Sequence, residues 1–510
     1  MSNLIPLFII IPLGVAFLTP VFGKHVPWFH KVLLPASLFF LFLLGGWFLL
    51  HNGMNGSIIY KVGGWEPVAG VPIGIHLVLD GFSELMLIII NLMGCLVAIY
   101  SIGYLKKYTG EIYYYTLLSL MVAGMNGVVA TGDLFNLFVF LEISVIASFA
   151  LVAFGTGMEE LEASFKYQVL GGIASLLILL GIGLIYWYTR SLNMDDISMY
   201  FRSHGQNKVL MFIEAIMLSG FGLKAAMVPF HSWLPDAHSS APSPISAMLS
   251  GVFIKAIGVY ALIRLFFAMF PLYLPLAIAI TVIGVCSMVA GVFLAIGQWN
   301  LKRLLAYHSI SQMGYVVMAA GIGMMLLASH GDIATAELCI AGGLFHLINH
   351  AAFKGLLFLN AGALEHSLNT RNLKEMGGVA FQMPVTSATS FSASLAISGI
   401  PPFNGFFSKL LIIVAAIRAG YLGLAIVAAL VSILTLASFM KFQRYAFGGK
   451  QHGVIETARE VPFSMCLPMV ILAVCCLLLS LLILPVFRNI VITPAVEAIT
   501  HIAQAQALIH

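Results

Sequence analysis

The chain has 510 residues, 61% of them hydrophobic and only 9% charged, with a net charge of +4 and a mean hydropathy of +1.02. Soluble domains carry about 25% charged residues, so this composition argues against a water-soluble fold and makes hydrocarbon the solvent. The small, dispersed positive charge gives no footing for nucleic acid or for a dedicated anionic-lipid patch.

The N-terminus, MSNLIPLFIIIPLGVAFLTPVF, lacks a basic leader and a small-residue cleavage site, so it reads as a retained first span. A bilayer crossing takes about 20 apolar residues. Fourteen such stretches follow, at about 3–22, 32–50, 81–104, 112–131, 133–155, 165–188, 209–231, 244–270, 272–297, 304–328, 337–364, 385–417, 421–446 and 463–487. No polar linker divides them, so residues 1–510 read as one domain of an all-α polytopic membrane protein. The Gly/Pro-rich stretch 57–79 has β-type residues and is expected to be an extramembrane hairpin, because open strands cannot face lipid.

Loops after spans 1, 3, 5, 9, 11 and 13 hold thirteen Lys or Arg residues, from Lys24 to Arg459 and including Lys302, Arg371, Lys374 and Lys450; the opposite loops hold seven. The excess marks the first side as cytoplasmic and puts both termini outside. Four further lysines (Lys224, Lys255, Lys354 and Lys409) fall within spans. Two spans are interrupted, the seventh near Pro229 and the twelfth at Pro401 and Pro402. Proline removes a backbone donor, and in lipid such a break persists only where it faces protein or a water-filled cavity. Paired breaks five spans apart point to inverted repeats: spans 4–8 (112–270) and spans 9–13 (272–446).

An ionisable side chain at the centre of a span costs about 2.5–3.5 kcal/mol on insertion scales. The four intramembrane lysines would together cost roughly 10–14 kcal/mol without partners or water. Such groups mark proton or ion pathways by default. Glu142 in span 5 lies about nine residues in from Asp133 and reads as the deepest acid. Lys255 in span 8 is flanked only by apolar residues, and Lys224 and Lys409 stand beside the two breaks. In span 11, His346, His350 and Lys354 fall at i, i+4 and i+8, about 40° apart around the helix and 6 Å along it. A lone histidine there would read as a hydrogen bond to a neighbouring helix; three titratable groups in register favour a proton relay. Accessory candidates are Asp133, Glu214, His308, and His231 and His238 in the loop after the first break. Haem ligation would need facing histidines on separate helices, and no haem motif accompanies His308. The six cysteines form no CxxC pair, so no disulfide framework, metal site or cofactor is expected in this chain. No nucleophile–base set or phosphate loop appears either, so the chain is expected to catalyse nothing alone.

At the segments LFNLFVFLEIS, GLKAAMVPFHSWLPDAHSSAPSPISAMLSGVFIKAIGVYAL, LKRLLAYHSISQMGYV, FHLINHAAFKGLLFLNAGAL and SGIPPFNGFFSK, the chain resembles the antiporter-like subunits of respiratory complex I, of Mrp-type cation/proton antiporters and of energy-converting membrane-bound hydrogenases. The segments stand in the family's order and cover roughly residues 80–445. The resemblance implies fourteen spans, inverted repeats and two half-channels joined by a central polar axis. By position, Glu142 and Lys224 match the family's span-5 and span-7 pair, Lys255 the central lysine, His346 and His350 the span-11 histidines, and Lys409 the terminal residue, where some relatives carry glutamate. Length and ending look most like the D-type Mrp protein or its hydrogenase counterpart; only 488–510 follow span 14, so the long lateral helix of the longest members is expected to be absent. The resemblance implies partner membrane subunits, with or without a redox arm, and H⁺ as the cargo. Exchange of Na⁺ for H⁺ in a redox-free antiporter is the alternative, and a membrane cytochrome or quinone enzyme is the competing class.

Overall fold

An apolar run in hydrocarbon finds no water for its amides, so a helix that satisfies them internally is the available solution, and the chain is mostly helical. The computed structural model describes residues 1–52, 56–65, 74–449 and 458–507, with the backbone alone for 501–507. Lys450 and the hairpin tip at 66–73 lie outside the described residues.

Helices α1 (Leu7–Phe22) and α2 (Phe29–Asn52) precede strands β1 (Ile58–Lys61) and β2 (His76–Leu79). The strands pair antiparallel with Ile58 opposite Leu79, as expected for the hairpin. Then come α3 (Gly81–Tyr104), α4 (Glu111–Ala130), α5 (Leu134–Val152), α6 (Met158–Thr189) and the short amphipathic α7 (Met194–His204). The first break separates α8 (Lys208–Lys224) from α9 (Trp233–Ser240). Span 8 is one rod of three pieces: α10 (Ser243–Met248), a π-helical stretch (Leu249–Tyr260) and α11 (Ala261–Ala268). After α12 (Leu274–Ile296), α13 (Leu301–Ala328) and the 36-residue α14 (Ile333–Leu368), the second break separates α15 (Pro384–Ser398) from α16 (Asn404–Arg418). The chain ends with α17 (Leu422–Ala446), α18 (Phe463–Leu478), α19 (Pro485–Val491) and α20 (Thr493–Ala507).

Among the described residues, eleven helical segments are long and apolar enough to cross a membrane. They coincide with expected spans 1–6, 8–10, 13 and 14. Expected spans 7 and 12 are each two short pieces, and expected span 11 is α14, whose histidines, asparagines and lysine dilute its hydropathy. Helix starts are set by side-chain caps that bond otherwise orphaned amides: Asp80 for α3, Asp133 for α5, Asn207 for α8, Asn300 for α13 and Asp332 for α14.

The burial pattern is that of a protein in hydrocarbon. The most apolar window of α13 is 94% buried and that of span 8 is 89% buried, against 39% for α1, α2 and α6. Large apolar side chains such as Phe17, Leu50, Leu176 and Ile433 stand on the outer surface, while polar ones pair inside. Asn91 and Asn126 bond each other at 3.2 Å, and Asn126 also donates to the Phe8 carbonyl at 2.8 Å.

Candidate functional site

The first break leaves helix-end groups that the bundle satisfies, as a non-helical segment at membrane depth requires. The Trp233 indole donates to the Leu223 carbonyl at 3.0 Å, and the Val228 amide donates to Ser287 Oγ of α12 at 2.9 Å. Lys224 is the last residue of α8, and its ammonium is thereby held at the break. Its Nζ donates to Ser175 Oγ at 2.8 Å and to the Gly171 carbonyl at 3.0 Å, both on α6, and lies 3.7 Å from Glu142 Oε1 on α5. Ser175 Oγ in turn donates to the same Glu142 oxygen. Lysine, serine and glutamate thus form a short hydrogen-bonded chain across three helices. The Lys224 side chain is 3% exposed, whereas that of Glu142 is 27% exposed. Glu84, in the first turn of α3, is the more fully covered acid, at 0% exposed. Depth along the sequence of a span does not say which way the side chain faces.

Lys255 sits in the π-helical stretch, fully buried, and its Nζ donates to the carbonyls of Ser250 (2.7 Å) and Gly251 on the same turns. π-Turns leave carbonyls off the regular ladder and often mark functional positions. The stretch packs on the first break: a Cβ at Gly258 would lie 2.6 Å from Ala225 Cα, so only glycine lets the two backbones approach. Lys255 and Lys224 are thus carried by two segments in direct contact.

On α14, His346, His350 and Lys354 are all fully buried. Lys354 Nζ donates to the Leu305 carbonyl of α13 at 2.5 Å. Among the described residues His350 has no hydrogen-bond partner for either ring nitrogen, and Lys255, Lys354 and His238 lie within electrostatic reach of it. His346 Nδ1 is 3.0 Å from Ser408 Oγ and its Nε2 is 3.2 Å from Gln312 Oε1. A ring protonated on Nε2 donates to Gln312 and accepts from Ser408.

The second break repeats the first in form. A Cβ at Gly405 would fall 1.8 Å from the Ala396 carbonyl oxygen, so glycine allows α16 to start against the end of α15. Lys409 on α16 then reaches back: its Nζ donates to the Ile397 carbonyl at 2.7 Å and to Ser432 Oγ of α17 at 3.2 Å. The Tyr315 ring lies 5.3 Å from Lys409 Nζ and 5.5 Å from the His346 ring. The structure thus pairs Glu142 with Lys224, sets Lys255 and Lys354 within electrostatic reach of His350, and places Tyr315 near both His346 and Lys409.

The accessory candidates fall elsewhere. Asp133 caps α5 by accepting from the Asn136 amide at 2.7 Å. Glu214 is bonded by Gln206 at 2.9 Å and lies ten residues, about 15 Å of helix, from Lys224. His231 is half-buried between α8 and α9. His308 engages α17, with Nε2 2.7 Å from Ser438 Oγ. His238 does not lie in a loop: it is on α9, 0% exposed, its ring 5.0 Å from that of Phe358. Pro235 falls in the first turn of α9, where its missing amide costs nothing, so the prolines of FHSWLPDAHS do not exclude a helix. Ser175, Tyr315 and Gln312, which sequence reasoning passed over, are ordinary residues on other helices, and no spacing in the sequence signals them.

Residues 131–435 match the family described as NADH:quinone oxidoreductase/Mrp antiporter, TM, and residues 65–115 match NADH-ubiquinone oxidoreductase (complex I), chain 5 N-terminus. The chain is 34% identical over 491 residues to the D-type component of the Na(+)/H(+) antiporter of Alkalihalophilus pseudofirmus, covering 96% of each chain. It is 33% identical to the N-type component of the NADH-quinone oxidoreductase of Desulforudis audaxviator, covering 95% of this chain and 97% of that one. A chain of the Mrp complex from Dietzia sp. DQ12-45-1b superimposes with a TM-score of 0.87 at 26% identity, over 100% of this chain and 98% of the other. A chain of the membrane-bound sulfane sulfur reductase, an archaeal respiratory membrane complex, gives 0.86 at 28% identity over 99% of both. With matches across nearly its whole length, the chain belongs to the antiporter-like membrane subunits of the complex I, Mrp antiporter and membrane-bound hydrogenase family.

Proposed function

We propose that this chain carries protons across the cytoplasmic membrane of a prokaryote as one subunit of a larger membrane assembly. What supports the reading is the set of ionisable side chains from Glu142 and Lys224 through the fully buried Lys255, His350, Lys354 and His346 to Lys409. Each ionisable member is costly in the bilayer, and their order runs from one break to the other. The architecture we infer is fourteen spans in a single membrane domain: the eleven long segments, the two broken spans and α14. The two breaks, five spans apart, support two inverted repeats at 112–270 and 272–446. The lysine and arginine asymmetry supports cytoplasmic odd-numbered loops and termini outside.

Glu142 and Lys224 act as a switchable pair in this reading. Opposite charge within about 4–6 Å favours a charged lysine, and separating the two frees the Lys224 proton to move toward Lys255. No cofactor takes part within this chain; partner subunits or an ion gradient supply the drive. Proton movement by the native complex in membrane vesicles tests this. Glu142→Gln and Lys224→Ala should each lower it at least about tenfold at unchanged assembly, and normal rates in both variants would overturn the pair.

Lys409 is the outward gate. By the proposed orientation α16 is the outward half of span 12, and the Lys409 side chain meets the second break. Lys409→Ala should block transport, and Lys409→Glu should retain part of it. Lys374→Ala is the control: that loop lysine stacks on Trp299 at 4.5 Å and its loss should leave rates near wild type. Wild-type rates for Lys409→Ala would remove it from the pathway.

A host that couples redox chemistry to proton pumping is the primary reading, supported by the respiratory complexes among the relatives. A redox-free Na⁺/H⁺ antiporter is the second, supported by the Mrp relatives. Iron analysis of the purified native complex separates them.

A further inference from the structure

A buried ion cluster lies away from the row above, at the end of the bundle that carries Lys107, Arg303 and Arg371. Lys302, in the first turn of α13, is 1% exposed, although its place in the sequence groups it with the loop residues. Its Nζ donates to the Ala241 carbonyl and stands 3.7 Å from Glu365 Oε2 on α14. Glu365 also accepts from Arg371 Nε at 2.5 Å and from Ser243 Oγ at 3.0 Å, and Arg371 donates to the Ser239 carbonyl at 2.9 Å. Two cations, tied by one carboxylate, therefore close over the end of α9.

Outside this lock is a polar cavity of about 650 Å³, bordered by Tyr104, Tyr108, Glu160, Asn372, Glu365 and Arg371. That is many times the roughly 30 Å³ share of one liquid water. On the inner side of the lock is His238, fully buried, with neither ring nitrogen partnered among the described residues and with Lys302, Lys354 and Lys255 all in electrostatic reach. Buried polar nitrogens are almost always satisfied, so a partnerless imidazole beside an ion-pair lock is a place for water and a proton. Lys354, bonded to the Leu305 carbonyl one turn beyond Lys302, is the adjoining member of the row.

We propose that this cavity is a proton inlet, that the Lys302–Glu365 pair is its gate, and that His238 passes the proton inward to Lys354. The inlet is distinct from the Glu142–Lys224 pair and rests on the reading of Lys354 and Lys255 as a proton axis. Opening requires Lys302 to leave Glu365, which unseals the cavity toward His238. A purely structural clamp on the α9 end would hold the same contacts but would not control access to His238.

The test is thiol accessibility in the native complex. His238→Cys is introduced in a Cys286→Ser background, which removes the exposed native thiol among the described residues. Vesicles are treated with a small trimethylammonium methanethiosulfonate on the cavity side. With the gate intact labelling should be slow. Glu365→Gln and Lys302→Gln, which break the pair from either side, should each speed it at least tenfold. Unchanged rates in the gate variants would overturn the gate. Lys255→Ala should leave the labelling rate as it was, so a failure of the axis does not masquerade as a failure of the inlet. As a second measurement, His238→Gln should cut transport at least tenfold, whereas wild-type transport by that variant, with Lys255→Ala inactive, would overturn the inlet and leave the axis standing.

Discussion

Lys255→Ala should abolish proton movement by the native complex, with a fall of about 100-fold or more, the lower end of what a positioned proton-transfer group contributes. The residue is fully buried and its two hydrogen bonds go to backbone carbonyls of its own turns. No carboxylate among the described residues locks its charge, so it can both accept and release a proton, as an intermediate station must. In the proposed pathway it is also the member that joins the halves, since its π-helical segment packs on the first break while its ammonium is in reach of His350. Without it a proton must cross from Lys224 to the α14 stripe with no titratable group between. Lys255→Met separates chemistry from packing, because it keeps most of the volume and loses the charge. Both variants should assemble, since deleting a buried charge relieves desolvation. Flux through either at more than a tenth of the wild-type rate would show that the axis bypasses this lysine.

The largest loss of stability is expected from Arg264→Ala. Arg264 clasps Asp80 with two bonds of 2.6 and 2.7 Å, its guanidinium lies 5.4 and 5.3 Å from the ring centres of Phe82 and Tyr260, and it bonds Ser83 Oγ at 3.0 Å. Asp80 meanwhile caps α3 through the Phe82 and Ser83 amides. The clasp thus ties the end of span 8 to the start of α3. Removing one partner of a buried pair leaves an uncompensated charge and costs about 3–5 kcal/mol. Arg264→Lys should recover less than half of that, because an ammonium cannot form the planar fork. Burial alone would push the Asp80 carboxyl up, but Arg264 outweighs it and holds the group below its ordinary 3.8. A carboxylate held low stabilises the fold above the ordinary value, and that contribution is lost as pH falls through the lowered one. The gap in thermal stability between wild type and Arg264→Ala, read in detergent, should therefore be full at neutral pH and narrow below about pH 4. A shift of less than about 1 kcal/mol at neutral pH would mean that water already reaches Asp80.

Much of this protein could be read from its residues in order because the bilayer imposes simple rules. Hydrocarbon thickness sets span length, so apolar runs located eleven of the long helices; proline chemistry located both breaks; and a lysine amid apolar residues stands out, which is why Lys255 and the α14 stripe were evident. What lay beyond reach depends on which face of a helix looks inward. Lys302 and Arg303 are adjacent and equally basic at the start of one span, yet Lys302 turns into the core toward Glu365 while Arg303 reaches Asp236 at 2.6 Å. Ser175 and Tyr315 carry no charge to mark them, and they matter only because α6 passes between α5 and α8 and α13 passes beside α16. His238 reads as a loop residue until α9 folds back into the bundle. Hydropathy and backbone chemistry act locally and are written along the chain, whereas burial of a side chain and the identity of its neighbour are decided by the packing of helices distant in sequence.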